Sequence, residues 1–316
     1  MKHKASIWLL AAAALVILGL GLLAWSVHED ATALGGALVT NTYEIKETYT
    51  GIRACTSADI RLEPTDGQDT TVICQEEQDR LHTVRVEDGV LTILEQEPRH
   101  DRCLVQIQFK TPVVTIRLPR GDYDALSIEG DVGDVNVPQG LRFETAAITA
   151  STGDVDFSAS VQQTLAVHLS TGEIRLDGIG TGELELETST GDIRLTNTGC
   201  RGKLTLRVGT GEAVLEHVSC QALLTTGSTG DLRLTDVAAE QTLAAKRSTG
   251  AIRLEDCDAG ALELETSTGD ITGSLRTEKI IFAQSGTGEV SVPKSTEGGR
   301  CDVRSDTGDI RLTIRR

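Results

Sequence analysis

Acidic side chains recur along this sequence at one fixed place in a repeated phrase, and they are its first candidates for chemistry. The phrase is Ser-Thr-Gly-Asp-Ile-Arg-Leu or a close variant, and the acid directly follows its glycine. The acids are Asp134, Asp154, Glu173, Asp192, Glu212, Asp231, Asp270, Glu289 and Asp309. An arginine stands two residues after the acid at Arg175, Arg194, Arg233, Arg253 and Arg311. Because side chains two apart on a strand share a face, we expect a column of acids beside a column of arginines.

Three interpretations of the acidic column are open. Carboxylates about 5 Å apart repel by about 1 kcal/mol per pair in water-like screening, and the arginines would offset this repulsion in a solvent-exposed charge ladder. Calcium prefers a cage of several oxygens and could bind between coils. Its candidate ligands are Asp154, Asp192, Asp231, Asp270 and Asp309. Paired carboxylates could also act as acid and base in a glycosidase or polyuronate lyase.

The sequence singles out no catalytic pair among these acids. Each acid belongs to the repeat, and aromatic residues that could stack on sugars are absent from 158–281. The histidines at His82, His100, His168 and His217 are isolated and lack metal-ligand spacing. The sequence therefore predicts no enzyme, no catalytic residue and no cofactor, with calcium left open.

The repeat itself indicates the fold. Its glycines lie 19 or 20 residues apart, at Gly133, Gly153, Gly172, Gly191, Gly211, Gly230, Gly250, Gly269, Gly288 and Gly308. A period this strict is typical of coils of about twenty residues stacked on copies of themselves. Apolar pairs such as Ile174/Leu176 and Leu184/Leu186 predict two inward-facing strands in each coil. We predict an all-β, parallel-type β-solenoid over 126–316, about 45 Å long, in which each coil stacks on the one before it.

The segment 46–125 precedes the repeat and has a different pattern. Apolar residues alternate in it, as at Ile60/Leu62 and Val84/Val86, and Asp66-Gly67 and Asp88-Gly89 are typical of tight turns. An open end of a solenoid exposes unpaired backbone and apolar side chains. We therefore predict an antiparallel β cap that covers the first coil.

The N-terminal region contains a long apolar run. Ile7 to Val27 carries no charge, and 21 residues of helix span a membrane core of about 30 Å. Lys2 and Lys4 precede the run, and Glu29 and Asp30 follow it. By the positive-inside tendency we predict a single-pass signal anchor in the cell membrane, with a cytoplasmic tail over 1–6, a tether over 28–45 and the remaining chain outside. A cleaved signal peptide is the alternative.

Net charge and cysteines limit the partners and the cross-links. The formal charge of −17 argues against binding of nucleic acid or anionic lipid surfaces by the external part. Cys200 and Cys220 occupy the same place in successive copies, so stacking brings them within range of a disulfide. Cys257 and Cys301 fall at inward positions and are expected to be small core residues. Cys55, Cys74 and Cys103 lie in the cap, where one disulfide between two of them is a further prediction.

These motifs carry a family resemblance. The Ser-Thr-Gly-Asp-Ile-Arg-Leu copies, the Leu-x-Leu-x-Thr strands before them and the segment 113–119 resemble the bacterial "putative adhesin" family of β-solenoid domains, over about 45–316. The resemblance implies a membrane-anchored protein similar to those near cell-envelope stress-response systems, and it supplies no catalytic residue. We predict a non-enzymatic binding or scaffold surface whose partner is an envelope component that the sequence does not name. Self-association is left open.

Overall fold

A computed structural model of the protein describes residues 38–78, 80–96 and 111–315. These residues form β-strands and turns, which confirms the all-β class. They include no helix with the length and apolar character needed to cross a membrane. The predicted cytoplasmic tail and the signal anchor, with its ends at Ile7 and Val27, lie outside the described residues, and so do His100 and Cys103.

The strands of the described residues fall into a cap and a repeat region. The cap strands are β1 (Val39–Ile45), β2 (Gly51–Cys55), β3 (Asp59–Thr65), β4 (Thr70–Glu76), β5 (His82–Glu87), β6 (Val90–Glu95) and β7 (Val113–Pro119). The first repeat strands are β8 (Asp122–Val132), β9 (Val135–Val137), β10 (Arg142–Thr152), β11 (Val155–Phe157), β12 (Ser160–Thr171), β13 (Ile174–Asp177), β14 (Gly180–Thr181) and β15 (Glu183–Thr190). The others are β16 (Ile193–Thr210), β17 (Ala213–Thr229), β18 (Leu232–Thr249), β19 (Ile252–Thr268), β20 (Ile271–Leu275), β21 (Lys279–Thr287), β22 (Val290–Ser291), β23 (Gly299–Thr307) and β24 (Ile310–Ile314).

The coil over 172–190 shows how one repeat folds. Strands β13, β14 and β15 form three sides, one more than the two predicted strands. Inward residues alternate along each side and are buried: Ile174, Leu176, Ile179, Thr181, Leu184, Leu186 and Thr188. The side formed by β14 is only two residues long, too short for its alternation to stand out in the sequence. The core is thus a narrow column of aliphatic side chains enclosed by three sheets.

Two corners of each coil require unusual backbone conformations. The repeat glycines have φ angles between +125° and +147°. A Cβ atom at Gly191 would lie 2.0 Å from the carbonyl oxygen of Gly172, so the position excludes any side chain. Six residues after the glycine, the backbone is left-handed at Gly178 and at Asn197, His217, Asp236 and Asp256. Glycine and short polar residues tolerate this conformation best, which explains the polar character of the second corner.

The coils stack in parallel register, as predicted. Ile174 pairs with Ile193 and Leu184 pairs with Leu204 in the adjacent coil. The amide of each repeat glycine except Gly288 donates to the threonine carbonyl before the neighbouring repeat glycine, as from Gly172 to Thr190 at 2.9 Å. Twelve strands stack along the side that contains β15, ten from the repeat copies and two from the cap. The predicted solenoid of about ten coils is therefore confirmed.

The cap is only partly antiparallel, which corrects the sequence prediction. Strands β2 and β3 pair in parallel with β8 and β9, and β6 and β7 pair in parallel with β2 and β3. The cap thus contributes two further solenoid coils, which lack the glycine phrase and so were not apparent. Among the strands that the structure describes, antiparallel pairing is confined to β4 with β7, β1 with β4 and β5 with β6. Residues 39–45, predicted as the end of the tether, form β1 of this cap.

Strand order at the other end departs from the predicted chain order. Strand β23 lies between β19 and β21, and β24 lies between β20 and β22. The glycine column therefore runs Gly250, Gly269, Gly308 and Gly288. The outermost layer, β21 and β22, therefore precedes in the sequence the strands β23 and β24 of the layer beneath it. As a result, the final strands of the sequence are covered on both sides.

Candidate binding surface

The acidic column holds successive coils together. Where an aspartate follows the repeat glycine, its carboxylate accepts the backbone amide at the equivalent place in the adjacent coil. All five predicted calcium ligands do this: Asp154 with Glu173, Asp192 with Glu212, Asp231 with Ala251, Asp270 with Asp309 and Asp309 with Glu289, at 2.8–2.9 Å. Amides that would otherwise lack a partner at the corner are thereby satisfied. One oxygen of each aspartate is committed to the fold.

The arginine column offsets part of the remaining charge. Arg194 donates to Glu173 at 2.7 Å, and Arg311 lies 2.7 Å from Asp309. Burial of Asp231 opposes ionisation, but the Ala251 amide and the Arg253 guanidinium hold its pKa below the ordinary value. These contacts favour the charge-ladder interpretation. Calcium binding by the five aspartates stays a prediction.

A polar groove lies where the cap meets the first coils. It has a volume of about 860 Å³, and its floor is formed by β8, β10, β12 and β15. The floor presents columns of hydroxyls and charged groups, including Ser151, Ser170 and Ser189, while Arg80 and Glu95 of the cap form one wall. His168 lies 3.7 Å from Glu187 on the floor. Such a lining suits a ligand rich in hydroxyl, amide or charged groups.

A buried hydrogen-bond network lies behind this groove. The imidazole of His82 lies 2.6 Å from Glu76 through Nδ1 and 2.6 Å from the Thr56 hydroxyl through Nε2. Glu76 is fully buried and also accepts from Asn41 and from the His82 amide, each at 2.5 Å. The sequence predicted an isolated His82, and this prediction was wrong. Its partners Thr56 and Glu76 lie in the cap, where the sequence has no repeat that would indicate which residues are neighbours.

The network has the connectivity of a catalytic triad but not its surroundings. The Ser57 amide, next to Thr56, donates to the Glu95 carboxylate at 2.6 Å. A triad needs donors free to stabilise an oxyanion beside its nucleophile, whereas here a carboxylate occupies that place. We therefore interpret the Thr56 hydroxyl as part of the bond network that joins the cap to the groove.

The same network includes the cluster of potential metal ligands found among the described residues. One ligand atom each of Cys74, Glu76 and His82 lies within 4.8 Å of the others, and all three residues are buried. Burial, and then the charge of Glu76, raises the pKa of the Cys74 thiol to about 12. An ion bound there would have to replace the Glu76–His82 hydrogen bond and remove the thiol proton. The arrangement present is a satisfied hydrogen-bond network.

The other predicted site residues lie outside the groove floor. Cys200 and Cys220 pair in register on adjacent coils, and both are free thiols in the structure, so their disulfide stays a prediction. Cys257 and Cys301 are fully buried, as predicted for core residues. His217 lies at an exposed corner, 2.7 Å from Asp236.

Several solved structures are similar to this chain. A "putative adhesin" from Parabacteroides distasonis is 15% identical, with a TM-score of 0.50, and the match covers 75% of this chain and 99% of that one. A "putative lipid binding protein" from the same organism is 19% identical, with a TM-score of 0.43 and coverage of 76% and 96%. A "putative adhesin" from Bacteroides fragilis is 15% identical, with a TM-score of 0.39 and coverage of 89% and 100%. At these identities the first likeness shows the fold alone.

No curated protein matches the sequence. The family described as Toastrack DUF4097 matches residues 52–212 and 202–316, which together include most of the chain. The chain therefore belongs to the Toastrack DUF4097 family.

Proposed function

We propose that this protein is a non-enzymatic binding protein of the bacterial cell envelope, which holds a polar ligand in the groove between its cap and its first coils. The observation that carries the proposal is the groove itself, a polar concavity of about 860 Å³ where the cap meets the first coils. The repeat acids are less available for this role, because Asp154 and Asp192 accept amides of the adjacent coils and Arg194 pairs with both Glu173 and Asp192.

Attachment to the membrane through 7–27 is a further part of the proposal. It is supported by the uncharged run from Ile7 to Val27 and by the basic residues before it. The names of the structural neighbours, adhesin and lipid-binding protein, are compatible with a role at a cell surface. In this arrangement the rod stands outside the membrane, with the cap nearest to the anchor.

Blocking the groove tests the proposal directly. Ser170→Trp places an indole on the groove floor, whereas Ser248→Trp places one at the equivalent, exposed position of a coil far from the groove. The probe is the isolated envelope fraction of the source cells, with retained protein quantified after washing. We expect Ser170→Trp to reduce retention about tenfold and Ser248→Trp to leave it unchanged.

Two outcomes contradict the proposal. Equal retention of both variants would show that the groove is not the binding site. Turnover of an acidic polysaccharide by the protein, abolished by a single Asp→Asn change, would show that it is an enzyme.

A further inference from the structure

The two ends of the solenoid are finished differently. At the N-terminal end, strands β1, β4 and β5 cover the first coils, and Val72 of β4 and Leu91 and Ile93 of β6 are fully buried. At the other end the outermost strands are β21 and β22, and no strand of the described residues pairs with the outer edge of β21. We call residues 276–298, which contain these two strands, the end layer.

Inward positions of the end layer are incompletely covered. Ile281 and Val290 occupy places where the adjacent coil carries Cys301 and Ile310, which are fully buried. Ile281 is only partly buried, and Val290 is 41% exposed. The apolar core of the solenoid is therefore open to solvent at this end, and the backbone groups on the outer edge of β21 are free to pair.

Exposed apolar side chains also distinguish the end layer, and its charges balance. Three large hydrophobic side chains are exposed among the described residues, and two of them, Phe282 at 56% and Val290, lie here. The layer contains three basic residues, Arg276, Lys279 and Lys294, and three acidic residues, Glu278, Glu289 and Glu297, so its net charge is zero. The whole chain has a net charge of −17. The end layer is thus a surface that a second acidic rod can approach without strong repulsion.

We propose that the end layer is a docking surface for a second copy of this chain, which pairs with it end to end about a two-fold axis. In this arrangement β21 adds antiparallel to β21 of the other copy, and the two open cores cover each other. Because the opposite end is closed by the cap, association stops at a dimer and does not continue into a filament.

The size of the surface sets the expected strength. A coil side of about five or six residues at ~3.3 Å per residue gives an end face of a few hundred Å² per partner. Stable interfaces bury about 800 Å² per partner, so this dimer is expected to be weak, with a dissociation constant in the micromolar range. The end layer is remote from residue 38, so the dimer joins the tips of two rods. If the chains are anchored as proposed, the dimer links two facing membrane surfaces. The dimer itself does not depend on that anchoring.

Sedimentation of the full chain in mild detergent, over about 1 to 100 µM, measures the association. We expect a monomer–dimer equilibrium whose dissociation constant rises at least about tenfold on Val290→Lys, since two like charges would then face each other across the interface. Phe282→Ser, at another exposed side chain, should weaken the dimer as well. Val132→Lys is the matched control, because Val132 is 56% exposed but lies near the opposite end. It should leave the constant unchanged.

Hydrogen exchange locates the contact. Raising the concentration from the monomer range to the dimer range should slow amide exchange in β21 and β22 and not in β1 or β5. Far-ultraviolet circular dichroism verifies that each variant is folded. If Val290→Lys does not fold, the test is made with Phe282→Ser. The proposal is overturned by a monomer at every concentration, by growth beyond a dimer, by association unaffected by both folded variants, or by slowed exchange confined to other strands.

Discussion

Arg247 extends into the core at an inward position where other coils carry Thr188, Thr266 and Ser305. It is only 4% exposed, and its guanidinium donates to the Thr225 hydroxyl at 3.1 Å, while its Nε has no partner among the described residues. Burial lowers the pKa of Arg247 to about 10, against the opposing charge of Asp231.

The side chain fits because Gly227, its counterpart in the adjacent coil, leaves room for it. A Cβ atom at Gly227 would lie 2.2 Å from Nη1 of Arg247. We therefore expect Gly227→Ser to destabilise the protein by about 1–3 kcal/mol through overpacking. In the Arg247→Thr background, where this space is empty, Gly227→Ser should reduce the free energy of unfolding much less. Urea unfolding of the two single variants and the double variant gives the coupling energy, and additivity within about 0.5 kcal/mol would contradict this packing.

The buried contact between Glu76 and His82 makes a second prediction at this scale. Glu76→Gln removes a charge that accepts from Asn41, the His82 ring and the His82 amide, and we expect a loss of about 2–4 kcal/mol of unfolding free energy. Glu63→Gln is the control, because Glu63 forms an exposed ion pair with Arg117, and such pairs contribute about 0–1 kcal/mol. Equal losses in urea unfolding would show that the network is dispensable.

The acidic column allows a prediction about calcium. In each candidate aspartate, Oδ1 already accepts an amide of the adjacent coil, which leaves one carboxylate oxygen for a metal ion. We expect the melting temperature to differ by less than about 2 °C between chelator and millimolar Ca²⁺, because an ion whose dissociation constant exceeds its concentration stabilises the folded chain very little. A rise of more than about 5 °C that is lost on combining Asp192→Asn with Asp231→Asn would establish a calcium site.

The glycine corner determines the fold at the scale of the element. Gly191 has a φ of +136°, and its Cβ position overlaps the Gly172 carbonyl oxygen. We expect Gly191→Ala to cost about 3 kcal/mol or more, since strain and overlap both oppose it. Gly180→Ala in the same coil is the matched control, because nothing lies within 4 Å of its Cβ position, and its effect should stay within about 0.5 kcal/mol. Similar thermal unfolding of the two variants would contradict the assignment of this corner.

This corner also explains why the coils could be predicted. Because this conformation admits only glycine, each coil has a glycine at the same position. Inward pairs such as Ile174 and Leu176 follow that glycine at a fixed distance. The coils formed by β2 with β3 and by β6 with β7 make the same parallel pairs without that glycine. Their alternation therefore indicated strands but not their direction. The Thr56–His82–Glu76 network, which depends on this cap, was hidden for the same reason.

At the scale of the whole molecule, both ends depart from simple chain order. Strands β21 and β23 have the same inward alternation, with Ile281 and Ala283 matching Cys301 and Val303. The alternation of apolar residues is therefore compatible with either strand stacking on β19. The sequence contains no local signal for the choice, because it depends on how the last layers cover one another. The order places the last strands of the chain inside the stack and leaves β21 at its edge.

Acid stability is also a property of the whole rod, since two effects of pH oppose each other. Hydrogen bonds from Thr196 and Asn197 lower the pKa of Asp177, the hydrogen bond from Arg207 lowers that of Glu185, and the Glu289 amide lowers that of Asp309. These acids ionise more readily in the folded chain, so their stabilisation is complete above their ordinary pKa values and is lost as pH falls through the lower folded values. Protonation elsewhere meanwhile relieves the repulsion within a chain of net charge −17.

Salt separates these two effects. At about 1 M salt the Debye length is ~3 Å, so general repulsion is screened while the short hydrogen bonds persist. We expect unfolding free energy in urea to be constant from about pH 7 to 5 in high salt and to fall steadily below about pH 4. At low salt the relief of repulsion should add a shallow maximum near pH 5, close to the isoelectric point of 4.8. Stability that rises continuously to pH 3 in high salt would show that the carboxylate contacts between coils do not stabilise the folded rod.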